Sequence, residues 1–170
     1  MEQLGRMSAE EFRKAEKVPL IVVLDNIRSG LNVGSIFRSA DAFRLAKIVC
    51  CGYTPVPPHR EVLKSALGAT ETVEWEYREK TVDTIAELKN AGIEVFAVEQ
   101  TTNSQPLQAF SAKNRNTVAI VLGNEVHGVE QEVIDACHGA IEITQYGTKH
   151  SLNVSVCAGI VIYALASQRL

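Results

Sequence analysis

The sequence predicts an α/β domain with a mostly parallel sheet and helices on both of its faces. Short β-branched runs alternate with segments of helical periodicity along the 170 residues. Three predicted strands, at 21–24, 48–51 and 118–122, are apolar throughout instead of alternating. Such strands are typical of parallel sheets that helices cover on both faces. No linker, low-complexity tract or repeat interrupts the pattern, so we expect one domain over 1–170.

The predicted elements follow one another in a regular order. A polar segment over 1–17 is expected to be a short helical extension before the first strand. Strands are predicted at 19–26, 47–52, 71–77, 93–100, 116–125 and 140–145. Helices are predicted at 32–43, 59–69, 81–91, 129–139 and 151–168. In the third of these helices Thr81 is the expected N-cap, and Gly92 lies just past the end.

Composition is that of an ordinary globular protein, with 46% hydrophobic and 22% charged residues. No apolar run approaches the ~18 residues of a membrane span, and the N-terminus is unlike a signal peptide. The four cysteines lack CxxC spacing, so we expect buried thiols in a reducing cytoplasm, with neither disulfides nor metal. The net charge of −3 argues mildly against a nucleic-acid partner. Residues 1–60, with nine Lys and Arg against six Asp and Glu, are compatible with phosphate contacts, and chance scatter explains them equally well.

Segment 24–44 joins a predicted buried strand to a helix and holds the first polar motif. Asn32 is placed at the N-cap, and Arg38 lies about 9 Å further along the helix axis. Because helix side chains lean toward the N-terminus, the Arg38 guanidinium can reach back to the amides of the first turn. Such a pair suits a phosphate or a polarised hydroxyl. A simple cap and a surface arginine explain the same residues, and the P-loop pattern is absent.

A second polar motif follows the predicted strand at 118–122. Gly123 and Gly128 bracket three polar residues, namely Asn124, Glu125 and His127. Ligands of open α/β sheets bind beyond the carboxyl ends of the strands. This loop is therefore expected to line a binding site.

The third motif, at 143–165, combines a loop with a helix that is apolar on nearly every face. The helix begins with a polar stretch at Ser151, Leu152 and Asn153. A helix that is apolar all round must be buried. Since the C-terminus of a small domain offers a limited core, we expect this helix to form a subunit interface in a homodimer.

Together these motifs resemble those of a known family. Asn32 with Arg38 resembles motif one of the SpoU branch of the SPOUT superfamily, which contains the TrmH-type ribose 2'-O-methyltransferases of tRNA and rRNA. The stretch LGNEVHG resembles motif two, and SLNVSVCAGIVIYAL resembles motif three. Order and spacing also match, and the resemblance covers residues 18–168.

The resemblance implies a deep C-terminal trefoil knot, a homodimer and S-adenosylmethionine as the cofactor. The positions that match cofactor-binding residues are Gly123, Ile143 and Leu152, with Asn124 in the same loop. Glu99 and Gln100, at the end of the strand at 93–100, are expected to flank the adenosine or methionine moiety. A solvated strand end is the alternative explanation for Glu99.

The implied reaction is methyl transfer to a ribose 2'-hydroxyl of structured RNA. Transfer from a sulfonium releases a neutral thioether, so it needs neither a metal nor a covalent enzyme intermediate, and positioning supplies much of the acceleration. The residue matching Arg38 is the family's proposed activator. Because a guanidinium pKa exceeds about 12, we expect Arg38 to hold a phosphate and stabilise the developing alkoxide. The residues expected to orient the ribose, Arg38 or the cofactor are Asn32, Glu125, Ser151 and Asn153.

The sequence favours tRNA over rRNA as the substrate, because the compact core carries no appended RNA-binding domain. Three alternatives are a SPOUT enzyme acting on a base, a non-catalytic RNA- or cofactor-binding protein on the same scaffold, and a Rossmann enzyme. The Asn32 and Arg38 pair argues against the first, and the intact motifs argue against the second. The missing GxGxxG argues against the third. We match no family role to His127, Lys149 or His150.

Overall fold

A seven-stranded sheet forms the centre of the computed structural model, which describes residues 7–170. The strands are β1 (Val18–Asp25), β2 (Leu45–Cys51), β3 (Trp75–Arg78), β4 (Glu94–Val98), β5 (Gln105–Pro106), β6 (Val118–Leu122) and β7 (Gly139–Glu142). Their order across the sheet is β3-β2-β1-β6-β4-β7-β5, and every adjacent pair is parallel. The predicted parallel sheet is confirmed.

Helices cover both faces of this sheet, as predicted. They are α1 (Ala9–Lys14), α2 (Gly30–Ala42), α3 (Arg60–Ala66), α4 (Ala69–Thr72), α5 (Thr81–Asn90), α6 (Gln131–Ala136) and α7 (Val154–Ala166), with a 3-10 helix at Leu107–Ala109. Side chains of α2, α3 and α7 share one core with Leu20, Val22 and Leu24 of β1. Side chains of α5 and α6 share the opposite core with Ile21 and Val23. Successive residues of β1 enter different cores because strand side chains alternate between the two faces.

Helix α1 lies within the predicted extension over 1–17, of which residues 1–6 fall outside the described residues. Ser8 and Glu11 form a capping box at its start. The Glu11 amide donates to Ser8 Oγ at 3.2 Å, and the Ser8 amide donates to Glu11 Oε2 at 2.7 Å. Phe12 is buried in the core that contains α2. A satisfied cap and one buried aromatic ring therefore attach this segment to the sheet.

The structure corrects some details of the predicted elements. Thr81 is wrong as the N-cap of α5, because the helix begins at Thr81 and Lys80 precedes it as the cap. The Thr81 hydroxyl donates instead to the buried carboxylate of Asp25. Gly92 lies past the helix end with φ +78°, as expected. The strand predicted at 71–77 begins only at Trp75, because Glu71 and Thr72 belong to the short helix α4. Strand β5 and the 3-10 helix have no predicted counterparts, because segments of two or three residues are too short to show a period.

Four loops meet at the carboxyl edge of the sheet. They are residues 26–29, 99–104, 123–130 and 143–153, which follow β1, β4, β6 and β7. These four strands are neighbours in the sheet, in the order β1-β6-β4-β7. Polar residues far apart in the sequence are thereby brought to one edge, where open α/β folds bind their ligands.

Two further properties concern residues 7–170 as a whole. No helix among them is long and apolar enough to cross a membrane. Within the same range, no group of three or more His, Cys, Asp or Glu side chains is arranged to hold a metal ion.

Candidate active site

A cleft of about 730 Å³ opens between the ends of β4, β6 and β7 and the start of α7. Apolar side chains such as Leu122 and Ile141 line it together with polar groups from three loops. Its volume lies in the range of roughly 300–1,000 Å³ that is usual for cofactor and ligand pockets. All six residues predicted to bind the cofactor line this cleft: Glu99, Gln100, Gly123, Asn124, Ile143 and Leu152.

The backbone of loop 123–129 is held closely against the sheet. The Glu99 carboxylate accepts hydrogen bonds from the amides of Val129 at 3.1 Å and Gln100 at 2.9 Å. Glu99 is therefore not a solvated strand end. A Cβ added at Gly123 would lie 2.2 Å from the carbonyl carbon of Gly128, which itself has φ +68°. A side chain at either glycine would displace the loop.

The Asn124 side chain is buried and fastens this loop to two neighbouring segments. Its Nδ2 donates to the carbonyl oxygen of Asn26 and to the phenol oxygen of Tyr53, each at 2.8 Å. Its Oδ1 accepts hydrogen bonds from the amides of Val126 at 2.8 Å and His127 at 3.1 Å. These bonds occupy both ends of the amide, and the backbone N–H and C=O of Asn124 are each bonded to Gly128 at 2.9 Å, so Asn124 fixes the shape of the loop.

Glu125 joins the second motif to the start of α2. Its carboxylate accepts hydrogen bonds from the amides of Arg28 at 2.8 Å and Ser29 at 3.0 Å, and from Asn32 Nδ2 at 2.8 Å. Desolvation alone would raise the pKa of Glu125, but these donors outweigh it and hold the pKa below the ordinary glutamate value. The carboxylate is therefore ionised at neutral pH and engaged on both oxygens.

The same chain of hydrogen bonds continues to the third motif. Asn32 Oδ1 accepts a hydrogen bond from Asn153 Nδ2 at 3.2 Å. Asn153 is the N-cap of α7, and its Oδ1 accepts from the amides of Ser155 at 2.9 Å and Val156 at 3.3 Å. We call this arrangement the Glu125–Asn32–Asn153 network, and it connects all three sequence motifs at the mouth of the cleft.

Asn32 does not occupy the position predicted for it in α2. The helix begins at Gly30, and Ser29 is its N-cap, with the Ser29 hydroxyl accepting from the Asn32 amide at 3.3 Å. Serine caps a helix about as well as asparagine, so the sequence pattern did not distinguish the two. Asn32 is the third residue of the helix, where its side-chain amide is available to both Glu125 and Asn153.

Arg38 stands apart from this network. Its side chain is exposed, does not line the cleft, and forms no hydrogen bond or ion pair with any residue in the described range 7–170. The prediction that the Arg38 guanidinium reaches back to the amides of the first turn of α2 is therefore wrong within one chain. Helix α2 packs on α3 near Gly34 and on α7 near Ser39, which leaves Arg38 on the exposed stripe between them.

Ser151 and the two loop histidines line the cleft with exposed side chains. Ser151 belongs to the loop before α7, as does His150, whereas His127 belongs to the loop after β6. The Ser151 hydroxyl forms no hydrogen bond within residues 7–170, so it is available to a ligand. Lys149 is exposed beside these residues and does not line the cleft.

Helix α7 is buried on one side and exposed on the other. Ala158 and Val161 have no accessible surface. This side of α7 is therefore buried within the chain, and the expectation that a subunit interface buries it is wrong. It packs against α2 and β1 within the chain. Val156, Ile160 and Tyr163 are 52%, 40% and 61% exposed and form what we call the outer face of α7.

Sequence reasoning missed three residues of the site, namely Asn26, Ser29 and Tyr53. Asn26 follows β1 with φ +54°, and its Oδ1 accepts a hydrogen bond from the Tyr53 amide at 3.1 Å. An asparagine directly after a strand tolerates this left-handed conformation, which is the signal that could have identified the turn. No local signal marks Tyr53, because its partners lie on two other loops.

The chain matches the SpoU rRNA Methylase family over residues 19–163. A 23S rRNA (guanosine-2'-O-)-methyltransferase, RlmB of Vibrio vulnificus (strain CMCP6), is 30% identical over 168 residues. The aligned region covers 99% of this chain and 67% of that protein. The RlmB of Neisseria meningitidis serogroup B (strain ATCC BAA-335 / MC58) is 30% identical over 89% of this chain and 60% of its own length. The chain thus spans about two thirds or less of these relatives.

Solved structures agree with the family match. The A. aeolicus TrmH/SpoU tRNA modifying enzyme has a TM-score of 0.82 at 28% identity, over 95% of this chain and 80% of that chain. The AdoMet-bound rRNA methyltransferase from Sinorhizobium meliloti shares the fold, with a TM-score of 0.82 at 23% identity, over 94% and 60% of the two chains. The family match encloses every residue of the Glu125–Asn32–Asn153 network, and the chain belongs to the SpoU methylase family.

Proposed function

We propose that this chain transfers a methyl group from S-adenosylmethionine to a ribose 2'-hydroxyl of structured RNA. The observation that carries the proposal is the Glu125–Asn32–Asn153 network, which holds the three motifs together at the mouth of a cofactor-sized cleft. The relatives support this function, because RlmB is named as a guanosine 2'-O-methyltransferase.

The cleft suits S-adenosylmethionine in size and chemistry. Apolar side chains, among them Ile143 and Leu152, provide surface for an adenine ring, and the backbones of loops 99–104 and 123–130 provide donors and acceptors. We propose that Gly123, Asn124, Ile143, Leu152, Glu99 and Gln100 hold the cofactor, with Glu99 and Asn124 also fixing the loops. When bound, S-adenosylmethionine supplies an electrophilic methyl group on a sulfonium.

The catalytic roles follow from charge and position. Arg38 is a permanent cation without a partner among residues 7–170, so it can bind the RNA phosphate beside the reacting ribose and stabilise the developing 2'-alkoxide. The proton leaves through that phosphate or through water. Asn32 and Ser151 orient the ribose, while Glu125 and Asn153 hold Asn32 in place. Correct alignment of the hydroxyl with the methyl group supplies much of the acceleration.

We also propose that the active protein is a homodimer. The outer face of α7 presents three large apolar side chains beside the exposed stripe of α2 that carries Arg38. Contiguous exposed apolar surface of this kind is typical of protein interfaces. Pairing through this face would place Arg38 at the boundary between subunits, where it could meet the cleft of the partner.

The chain is proposed to be one methyltransferase domain with an extension over 1–17, and its C-terminus is proposed to form a deep trefoil knot. Contacts around the C-terminus support the knot. Gln168 and Arg169 bond to backbone groups of Ala112, Arg115 and Asn116 in the segment before β6. Stretching the unfolded chain from both ends in an optical trap tests this directly. The fully stretched length of a knotted chain should be less than that of an unknotted chain, which is about 3.6 Å per residue.

Transfer RNA is the first substrate to test, and ribosomal RNA is the alternative. The named relatives include enzymes of both kinds. A reducing cytoplasm is the proposed location, since the four cysteines are free, and burial raises the pKa of the Cys50 thiol to about 12 and that of Cys157 to about 11. Such thiols react poorly at neutral pH.

The deciding experiment incubates the purified protein with methyl-labelled S-adenosylmethionine and separately purified tRNA and rRNA. Nuclease digestion and mass spectrometry then locate the labelled nucleotide. We expect label on a ribose of one RNA class. Label on a base, or no label in either class, would contradict the proposal.

A further inference from the structure

Tyr53 is an exposed aromatic side chain that is nevertheless held rigidly. Its side chain is 60% exposed. The phenol oxygen accepts a hydrogen bond from Asn124 Nδ2 at 2.8 Å, and the backbone amide donates to Asn26 Oδ1 at 3.1 Å. Both ends of the residue are therefore fixed, while much of its surface faces solvent.

The phenol of Tyr53 is bonded to the loop that carries Glu125 of the proposed reaction site. Asn124, which holds the phenol, directly precedes Glu125, and Glu125 holds Asn32. Glu125 also separates the large cleft from a smaller one of about 390 Å³, which is lined by Arg28, Ser29, Asn32, Glu61 and Glu125. An RNA ribose presented at Asn32 would therefore carry its base or a neighbouring base toward the smaller cleft and Tyr53.

Two arginines lie near the smaller cleft. Arg28 follows Asn26 by two residues and lines the smaller cleft, and Arg60 begins α3 beside it. Neither side chain forms an ion pair with another residue in the described part of the chain, and both are exposed. Glu61 and Glu125 are the negative charges in the wall of the smaller cleft, and Glu125 is already engaged by Arg28, Ser29 and Asn32. Cations beside an exposed ring are the combination that binds single-stranded nucleic acid, through phosphate contacts and base stacking.

We propose that Tyr53 is a stacking platform for an unpaired RNA base at or next to the methylated nucleotide, with Arg28 binding the adjoining phosphate. This inference rests on the proposed function, because it assumes that the reacting ribose lies at Asn32. A nucleotide whose ribose is methylated must be turned toward the donor, and a turned-out base needs a surface to replace its lost stacking. Fixing the ring in advance reduces the entropy lost on binding.

The first test uses the unaltered full chain and a short single-stranded RNA that contains 5-iodouridine. Irradiation and mass spectrometry identify the cross-linked residues. We expect Tyr53 among them. Cross-links confined to other residues, or no binding of this RNA by the wild-type chain, would overturn the proposal.

The second test compares variants at Tyr53 by fluorescence anisotropy with the same RNA, labelled with fluorescein. Tyr53→Ala should weaken binding by about tenfold, a loss typical of a stacked aromatic. Tyr53→Phe keeps the ring and should bind within about twofold of the wild type. Equal losses in both variants would show that the bond to Asn124 matters and the ring does not, which would overturn the stacking role. Tyr77→Ala, at an exposed tyrosine on edge strand β3, is the matched control and should bind normally.

Two further measurements separate this inference from the proposed function. Tyr53→Ala and Tyr53→Phe both lose the bond to Asn124, so calorimetric titration should give the two variants equal affinity for S-adenosylmethionine, and a difference between them in RNA binding then belongs to the ring. Label transfer by the wild-type chain tests the proposed function alone. If methylation occurs, but Tyr53 does not cross-link and the Tyr53→Ala and Tyr53→Phe variants bind RNA equally well, only the stacking proposal fails. If methylation never occurs, the proposed function fails whatever the binding results are.

Discussion

The mouth of the cleft and the exposed α2–α7 surface differ in how their polar groups are satisfied. At the cleft, Asn32 bonds to Glu125 and to Asn153, and these two accept hydrogen bonds from backbone amides of loop 26–29 and of the first turn of α7. On the exposed surface, Arg38 has no partner in residues 7–170, and the outer face of α7 is apolar. One region is organised before any ligand arrives, whereas the other leaves a cation and an apolar face exposed. The predicted catalytic residues are thus divided between a prearranged site and an exposed surface.

The largest effect is expected at Arg38. Arg38→Ala should lower methyl transfer by about 100- to 1,000-fold, the loss seen when one donor to a developing oxyanion is removed. Calorimetry should show nearly unchanged affinity for S-adenosylmethionine, because Arg38 does not line the cleft. Arg38→Lys keeps the charge but not the planar fork, so it should recover only part of the rate. Near-normal turnover by the alanine variant would remove Arg38 from the mechanism.

The outer face of α7 is tested by Ile160→Asp. A charge placed there would be buried twice in a symmetric dimer, so self-association measured by sedimentation should weaken at least about a hundredfold. Ala158→Asp, on the buried face of the same helix, should unfold the chain instead. A folded Ile160→Asp protein that sediments like the wild-type dimer would place the interface elsewhere.

A smaller effect is expected at Glu125. Glu125→Gln replaces one acceptor oxygen with an NH₂ group that faces backbone donors, so unfolding should become easier by about 1–3 kcal/mol at neutral pH. The folded pKa of Glu125 is lowered, so its contribution is present above the unfolded pKa of about 4.3 and is lost as pH falls through the folded value. Thermal melts should therefore converge at acid pH.

The control for this position is Glu61→Gln, since the Glu61 carboxylate forms no hydrogen bond within residues 7–170. That variant should melt like the wild type at every pH. A gap between wild type and Glu125→Gln that stays constant from neutral to acid pH would mean that ionised Glu125 does not hold the start of α2.

The smallest effect is expected at Asp25, which is only 1% exposed and lies behind the loops of the cleft. Its Oδ2 has no hydrogen-bond partner in the described part of the chain, and burial raises the pKa of Asp25 despite the hydrogen bond from Thr81. The folded chain therefore keeps this proton to higher pH than the unfolded chain does. As pH rises from about 4 toward neutral, wild-type stability should fall relative to Asp25→Asn. Urea unfolding at several pH values measures the difference, and exposed Asp83→Asn should show no such trend. Wild-type stability that stays constant or rises relative to Asp25→Asn with increasing pH would refute the assignment.

Much of this protein could be predicted from local patterns. The apolar strands of a two-sided sheet, the order of helices and the three polar loops all appear in the sequence, because periodicity and strand ends depend on neighbouring residues. The six cofactor residues came from the resemblance to the family, and all of them line one cleft. The errors lie where several residues compete for one role, as when Ser29 rather than Asn32 caps α2.

The sequence by itself determined the alternation of elements, the residues at the strand ends and the resemblance of the motifs. Only the tertiary structure decided that Glu125 holds Asn32, that Tyr53 is fixed by Asn124, and that Ala158 lies in the core while Ile160 faces solvent. Those outcomes depend on strand order, which places β6 between β1 and β4. Strand order brings together loops that are nearly a hundred residues apart in the sequence, and no local sequence pattern predicts that they meet.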